Sequence, residues 1–300
     1  STQTTDAASV VVDPSLEAPS QQEATTNPAD ANGVMAEIID KINNSHNVLI
    51  ALSSDPSVDE MAAAIEHALR LIDEGADILD IGGESTRPGA AEVSVEEEIR
   101  RVVPVIEALK DCGKAISVDT SKPEVMAAAI KAGAHIVNDV RALTMPGALE
   151  VVTKSKVGVC LMHMQGQPQT MQDAPDYENV VDEVQEYLLD RARYCELLGV
   201  DRERICLDYG FGFGKTVEQN FALLANTARF VESGYPILVG LSRKSSLGAV
   251  TGRSVKDRMV ASVSGALLAM QGGAQIIRVH DVAQTVDALK IWLMTKQQRM

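Results

Sequence analysis

The chain reads as an α/β protein, a (β/α)8 TIM barrel, on three observations. Short apolar runs recur at 47–52 (NVLIAL), 77–81 (DILDI), 115–119 (AISVD), 134–138 (AHIVN), 157–161 (VGVCL), 204–208 (RICLD), 236–240 (PILVG) and 275–279 (QIIRV). Longer amphipathic stretches separate them, as parallel strands covered by helices require. No GxGxxG follows a strand, so eight units over 300 residues fit a closed barrel better than an open dinucleotide-binding sheet.

Along the chain, residues Ser1 to Gly33 are rich in Ser, Thr, Gln, Ala, Asp and Pro and contain no Lys or Arg. With neither a basic start nor an apolar centre, they read as a disordered acidic tail, not a signal or transit peptide. Val34, Met35, Ile38, Ile39 and Ile42 recur at helical spacing, which predicts a short amphipathic helix over Val34–Asn44 that begins the barrel domain, 34–300. The alternation then runs strand by strand. Helices are predicted over Val58–Asp73, Val95–Lys110, Pro123–Ala132, Tyr177–Leu198, Val217–Val231 and Lys256–Met270.

Composition narrows the function classes. Hydrophobic residues make up 45% of the chain, enough for a sizeable core. A formal net charge of -15, from 27 Lys plus Arg against 42 Asp plus Glu, argues against nonspecific binding to nucleic acid or an anionic membrane. Any anionic ligand must be held by a local cation cluster. No run of 18 apolar residues is present, so no spanning helix is expected. Cys112, Cys160, Cys195 and Cys206 lack CxxC spacing and lie in apolar or helical stretches, as reduced thiols of a cytoplasmic protein do. The five histidines form no HExxH pair.

In a (β/α)8 barrel the active site lies at the C-terminal ends of the strands. Seven successive ends here carry polar cargo: Asp80 with GGESTR, Asp119-Thr120-Ser121, Asn138-Asp139, Met162-His163-Met164, Asp208 with YGFGFGK, GLSRKS, and Arg278-Val279-His280-Asp281. Singly, each has a structural reading: Asp119 as a helix N-cap, Asn138 as a turn former, Asp208 as the partner of a nearby lysine. Together on one rim they point to a ligand. Inward carboxylates and an amide suit a flat heterocycle with several N–H donors. Arg87, Lys244, Arg278 and His280 suit an oxyanion such as a phosphate. In GFGFG the glycines let backbone approach a ligand while Phe211 and Phe213 offer aromatic faces. The spacing excludes a Walker motif.

The motifs ILDIGGESTRPGA, ISVDTSKPEVM, HIVNDVRAL, LMHMQGQPQTMQ, LDYGFGFGK, LVGLSRKSSLG and IIRVHDV, in order from about Met61 to Leu289, resemble those of the dihydropteroate synthase family. The resemblance implies a (β/α)8 barrel that joins 6-hydroxymethyl-7,8-dihydropterin diphosphate to 4-aminobenzoate, releasing pyrophosphate and giving 7,8-dihydropteroate. It also implies Mg2+ as cofactor and homodimerisation. Carried over by motif, Asp119, Asn138, Asp208 and Lys244 take the pterin ring and Met162 lines its pocket. Arg278 and His280 take the diphosphate, with Thr86 nearby. Arg87 and Pro88 close over the aminobenzoate, and Phe213, Lys244 and Ser245 complete that second site. Asp119, Asp208, Lys244 and Arg278 are the candidate catalytic residues. The loop after strand two then reads as a lid hinged at Gly82-Gly83.

The pattern departs from the family at strand one. There the family has ILNVTPDSFSDGG, whose asparagine contacts the metal, whereas this chain has VLIALSSDPSVDEM. Asp55 or Ser53 is the candidate replacement ligand. Tyr209 stands where the family commonly has proline. Three readings follow: an active synthase, a pterin-binding barrel with impaired catalysis, and a related methyltetrahydrofolate-dependent methyltransferase. Intact SRKS and RVHD, suited to an anionic leaving group, favour the synthase.

Overall fold

A computed structural model of the chain describes residues 8–9, 48–54, 58–86, 91–166, 171 and 175–298. Most of the expected acidic tail, and the helix expected over Val34–Asn44, lie outside these residues. Ala8–Ser9 form a two-residue strand, antiparallel to Val279 and Arg278.

Eight parallel strands close on themselves: β1 (Val48–Ser54), β2 (Ile78–Gly82), β3 (Ala115–Asp119), β4 (Ile136–Asp139), β5 (Gly158–Met162), β6 (Ile205–Asp208), β7 (Ile237–Val239) and β8 (Ile276–Val279). Each pairs with the next, and β8 returns to β1 with Val48 opposite Ile276, which completes the barrel. The strands read as nearly unbroken apolar runs because both faces are buried. Leu79, Ile116, Val137, Val159, Leu207 and Ile277 pack outward against the helices. Ile78, Ala115, Cys160, Leu238 and Ile276 fill the barrel interior as one apolar layer.

Helices form over each predicted stretch, with differences that have local causes, and three more form at Ala148–Thr153, Ser245–Thr251 and Val282–Gln297, where none was named. They are α1 (Val58–Asp73), α2 (Val95–Leu109), α3 (Pro123–Ala132), α4 (Ala148–Thr153), α5 (Val180–Leu197), α6 (Val217–Ala225), α7 (Thr227–Val231), α8 (Ser245–Thr251), α9 (Met259–Gln271) and α10 (Val282–Gln297). Helix α5 starts three residues later than Tyr177 because Asn179 caps it, accepting from the Val181 and Asp182 N–H groups at 3.1 and 3.2 Å. The predicted helix over Val217–Val231 is divided at Asn226, whose side chain turns back to the Ala222 carbonyl at 2.8 Å. A 3-10 turn over Val255–Asp257 precedes α9, where one continuous helix from Lys256 was expected.

Candidate active site

Alternate residues of a strand face the same side. The apolar interior layer therefore dictates what stands above it: two residues beyond Ile78, Ala115, Ile136, Cys160, Cys206 and Ile276 come Asp80, Ser117, Asn138, Met162, Asp208 and Arg278. Strand β3 adds Asp119 one step higher, paired in register with Gly82 and Asn138. A dry floor thus carries a polar tier, the arrangement expected of a site recessed into a barrel mouth.

Arg278 is the centre of that tier. Its Nη2 donates to Asp119 Oδ2 at 2.7 Å and its Nε to Asp80 Oδ2 at 3.0 Å. Asn138 Nδ2 donates to the same Asp80 oxygen at 2.9 Å. Sequence reasoning gave Arg278 to a phosphate and Asp119 to the ring; the structure joins them in one ion pair. Burial raises the Asp119 carboxyl to about 7, opposed by Arg278 and reinforced by the Asp80 charge. Asp80 was placed on the rim by the sequence but given no role in the site. Its signal was available, since a carboxylate inside an otherwise apolar strand requires a partner. Its Oδ1 and the Ser117 Oγ are buried with no hydrogen-bond partner among the described residues.

Across the mouth, Asp208 and Lys244 form the second charged group. Asp208 Oδ1 accepts the Gly210 N–H at 2.7 Å, and burial pushes its carboxyl up, with Lys244 opposing. Lys244 Nζ donates to the Phe211 carbonyl and stands 4.5 Å from the centre of the Phe213 ring, a cation–π geometry. Phe213, Met162, Val140 and Met171 make one buried apolar cluster beside it. Burial brings the Lys244 ammonium down to about 7, against Asp208, which holds it up. The sign follows from proton counting. Between about 7 and the ordinary lysine range the unfolded chain binds a proton that the folded protein lacks, so stability rises with pH there. Lys244→Met removes this dependence. Its thermal midpoint should exceed that of the wild type most near pH 7, and the gap should narrow towards pH 10. A gap that widens over that range would contradict the placement of Lys244.

The other expected residues are distributed unevenly. The His280 imidazole Nδ1 is 2.9 Å from Ser242 Oγ, which also accepts the His280 N–H at 3.1 Å, so the ring is oriented at the end of β8. Ser245 is exposed at the start of α8, next to Lys244. Thr86 is partly buried where the β2–α2 loop leaves the barrel. Arg87, Pro88 and Asp55 lie outside the described residues, and Ser53 is described only as part of the β1 backbone.

One expectation changes. Gly82 belongs to β2, and Gly83 is clamped: its carbonyl accepts from Arg101 Nη1 at 2.9 Å, and a Cβ there would lie 3.0 Å from Glu98 and Val102 side chains. Lys122 bridges Glu84 and the buried Glu98, holding the next residue of the loop as well. These glycines serve close packing rather than a hinge. Tyr209 does not line the site. Its ring packs on Phe230 at 5.2 Å and its hydroxyl meets Thr227 Oγ1 at 3.3 Å, so this departure from the family is absorbed in the outer core.

Comparison with known proteins accords with this geometry. Residues 51–280 match the family described as pterin binding enzyme. The chain is 51% identical over 229 residues to dihydropteroate synthase of Escherichia coli (strain K12), covering 76% of this chain and 81% of the relative. With the Haemophilus influenzae dihydropteroate synthase it shares 51% over 242 residues, 80% of this chain and 86% of the relative. Among solved structures it is similar to Xanthomonas albilineans dihydropteroate synthase with 4-aminobenzoic acid, with TM-score 0.78, 50% identity, and 82% and 91% of the two chains covered. A second structure of that organism's enzyme, in complex with 7,8-dihydropteroate, gives TM-score 0.76, 48% identity, and coverage of 82% and 92%. The Yersinia pestis dihydropteroate synthase with a sulfonamide drug complex gives TM-score 0.80, 44% identity, and coverage of 83% and 93%. A recessed polar tier, a lysine over a phenylalanine, and relatives at about half identity along three quarters of the chain agree: this protein belongs to the pterin-binding enzymes, in the dihydropteroate synthase family.

Proposed function

We propose that the protein joins 6-hydroxymethyl-7,8-dihydropterin diphosphate to 4-aminobenzoate, giving 7,8-dihydropteroate and pyrophosphate. The observation that carries this reading is the joining of Asp80, Asp119, Asn138 and Arg278 into one buried network, with Asp208 and Lys244 across from it. In the reaction the bond between the exocyclic carbon and the diphosphate oxygen breaks, and its electron pair leaves with pyrophosphate. The positive charge left on carbon spreads into the pterin. The aminobenzoate nitrogen then bonds to that carbon and gives up one proton.

Carboxylates placed before the reaction act on charge that develops during it. Asp119 and Asp208, hydrogen-bonded to the ring, stabilise the cation. Arg278 and His280 stabilise the leaving anion, and Asn138 orients the ring edge. Met162 and Phe213 exclude water from the forming bond, and Lys244 spans the two substrates. Thr86, Arg87, Pro88 and Ser245 complete the diphosphate and aminobenzoate ends. No side chain needs to act as a nucleophile.

Mg2+ belongs to the same proposal, where it would share the charge of the diphosphate. Among the described residues no group of three His, Cys, Asp or Glu could hold a metal ion, so these residues offer no ready cage for it. Homodimerisation also rests on the family, and a cytoplasmic location on the four cysteines without CxxC spacing. Among the described residues no helix is long and apolar enough to cross a membrane.

The test is direct. Pyrophosphate release should require both substrates, and a sulfonamide should compete with 4-aminobenzoate but not with the pterin. Calorimetric binding of the pterin diphosphate without any pyrophosphate release at any Mg2+ concentration would identify a binding barrel instead.

A further inference from the structure

Lys215 follows the glycine-rich loop and is only 2% exposed, yet no step of the proposed reaction uses it. Its Nζ donates to the Phe213 carbonyl at 2.8 Å and the Gly210 carbonyl at 3.0 Å, and lies 3.1 Å from His163 Nδ1. A longer contact of 3.4 Å reaches the His163 carbonyl. Gly210, Gly212 and Gly214 all have positive φ, 67°, 84° and 61°, and this alternation winds the loop around the lysine. Gly210 lies so close to His163 that no side chain fits between them: a Cβ there would be 1.9 Å from the His163 oxygen. The ammonium therefore ties the end of β5 to the loop after β6.

We propose that Lys215 is a positioning residue for the aminobenzoate site, an internal cation that gathers loop carbonyls and so fixes the Phe213 ring and the Phe211 carbonyl that holds Lys244. The inference rests on the reading of Phe213 and Lys244 as part of that site. Simple packing would not select this arrangement, because burying an ammonium costs several kcal/mol unless its donors are satisfied and a counter-charge is near. Here three acceptors take the three donors; burial brings the Lys215 ammonium down to about 7, and the Asp208 charge opposes that loss.

His163 is suited to its part. It is 7% exposed, meets Tyr187 edge-on at 4.9 Å, and burial with the Lys215 charge brings its imidazole down to about 3. It stays neutral in the working range, and the Lys215 donor facing Nδ1 at 3.1 Å selects the tautomer with its proton on Nε2, which leaves Nδ1 as the acceptor. The loop has further supports. Tyr177 donates to the Gly214 carbonyl at 2.9 Å, and Asn220 Oδ1 accepts the Gly212 N–H at 2.6 Å. None of these holds the Phe213 carbonyl, which depends on Lys215.

Steady-state pyrophosphate release on the full chain, with each substrate varied in turn, tests this. Lys215→Met should raise the aminobenzoate KM about tenfold or more, since small misplacements of a positioning group are costly, and change the pterin diphosphate KM far less. His163→Leu, which keeps the lysine and removes its acceptor, should raise the same KM, and His163→Asn, with an oxygen near the Nδ1 position, should restore most of the loss. The His163 pair decides the matter if Lys215→Met does not fold. Unchanged aminobenzoate KM in either Lys215→Met or His163→Leu, or an equal rise for both substrates, would overturn the positioning role. A wild-type protein that releases no pyrophosphate with both substrates would instead overturn the synthase reading, and this inference with it.

Discussion

Gly210→Ala should destabilise the protein by more than about 4 kcal/mol, the range reached only by named structural faults. Two costs add. The residue has φ of 67°, a conformation that costs an L side chain roughly 1–2 kcal/mol. The new methyl would also lie 1.9 Å from the His163 carbonyl oxygen, which is backbone and cannot rotate away. Relief requires parting the end of β5 from the loop after β6, and with it the Lys215 contacts. Gly113→Ala is the control, because Gly113 has a similar φ of 73° but nothing within 4 Å of the added carbon. It should cost only about 1–2 kcal/mol. Urea unfolding of both variants measures the difference. Equal losses would show that the His163 backbone yields to the added methyl at little cost.

Most of the barrel was legible because two periodicities agree along the chain. Strands buried on both faces read as apolar runs, and the amphipathic stretches between them are long enough to show a helical period. Elements shorter than that were not visible. Helices α4 and α8, with 6 and 7 residues, make about two turns each and set no pattern. The break at Asn226 was hidden for a different reason: Val217–Val231 keeps its apolar spacing on both sides of the break.

The site was legible as positions but not as contacts. Once the chain is a barrel, every strand end lies on one rim, so Asp119, Asn138, Asp208 and Arg278 could be placed together by topology alone. Which group touches which could not. Arg278 meets Asp119 across 159 positions and Asp80 across 198, and the choice between them depends on how neighbouring strands are staggered. Lys215 closes the glycine-rich motif, whose spacing excludes a Walker sequence and points to no other role for the lysine. Its role depends on three positive-φ glycines folding their carbonyls around it, which a residue string does not display.

Arg278→Met should lower pyrophosphate release by about 100-fold or more, since charge-assisted hydrogen bonds of about 1.5–3 kcal/mol each are lost at the leaving group. Pterin lacking the phosphates should lose much less affinity. Stability should fall too, because Asp80 and Asp119 are left buried without their shared cation, a fault worth about 3–5 kcal/mol. The pH dependence separates the two effects. Asp119 already has a raised folded-state pKa, so its folded form favours the proton, and stability is lost as pH rises through about 7. Without Arg278 that pKa goes higher still. The stability deficit against wild type should therefore be largest above pH 7 and shrink towards pH 5. Adding Asp119→Asn to Arg278→Met removes the unpaired charge and should recover part of the stability without recovering turnover. If the double variant regains both, Arg278 serves as a counter-ion to Asp119 and another group holds the diphosphate.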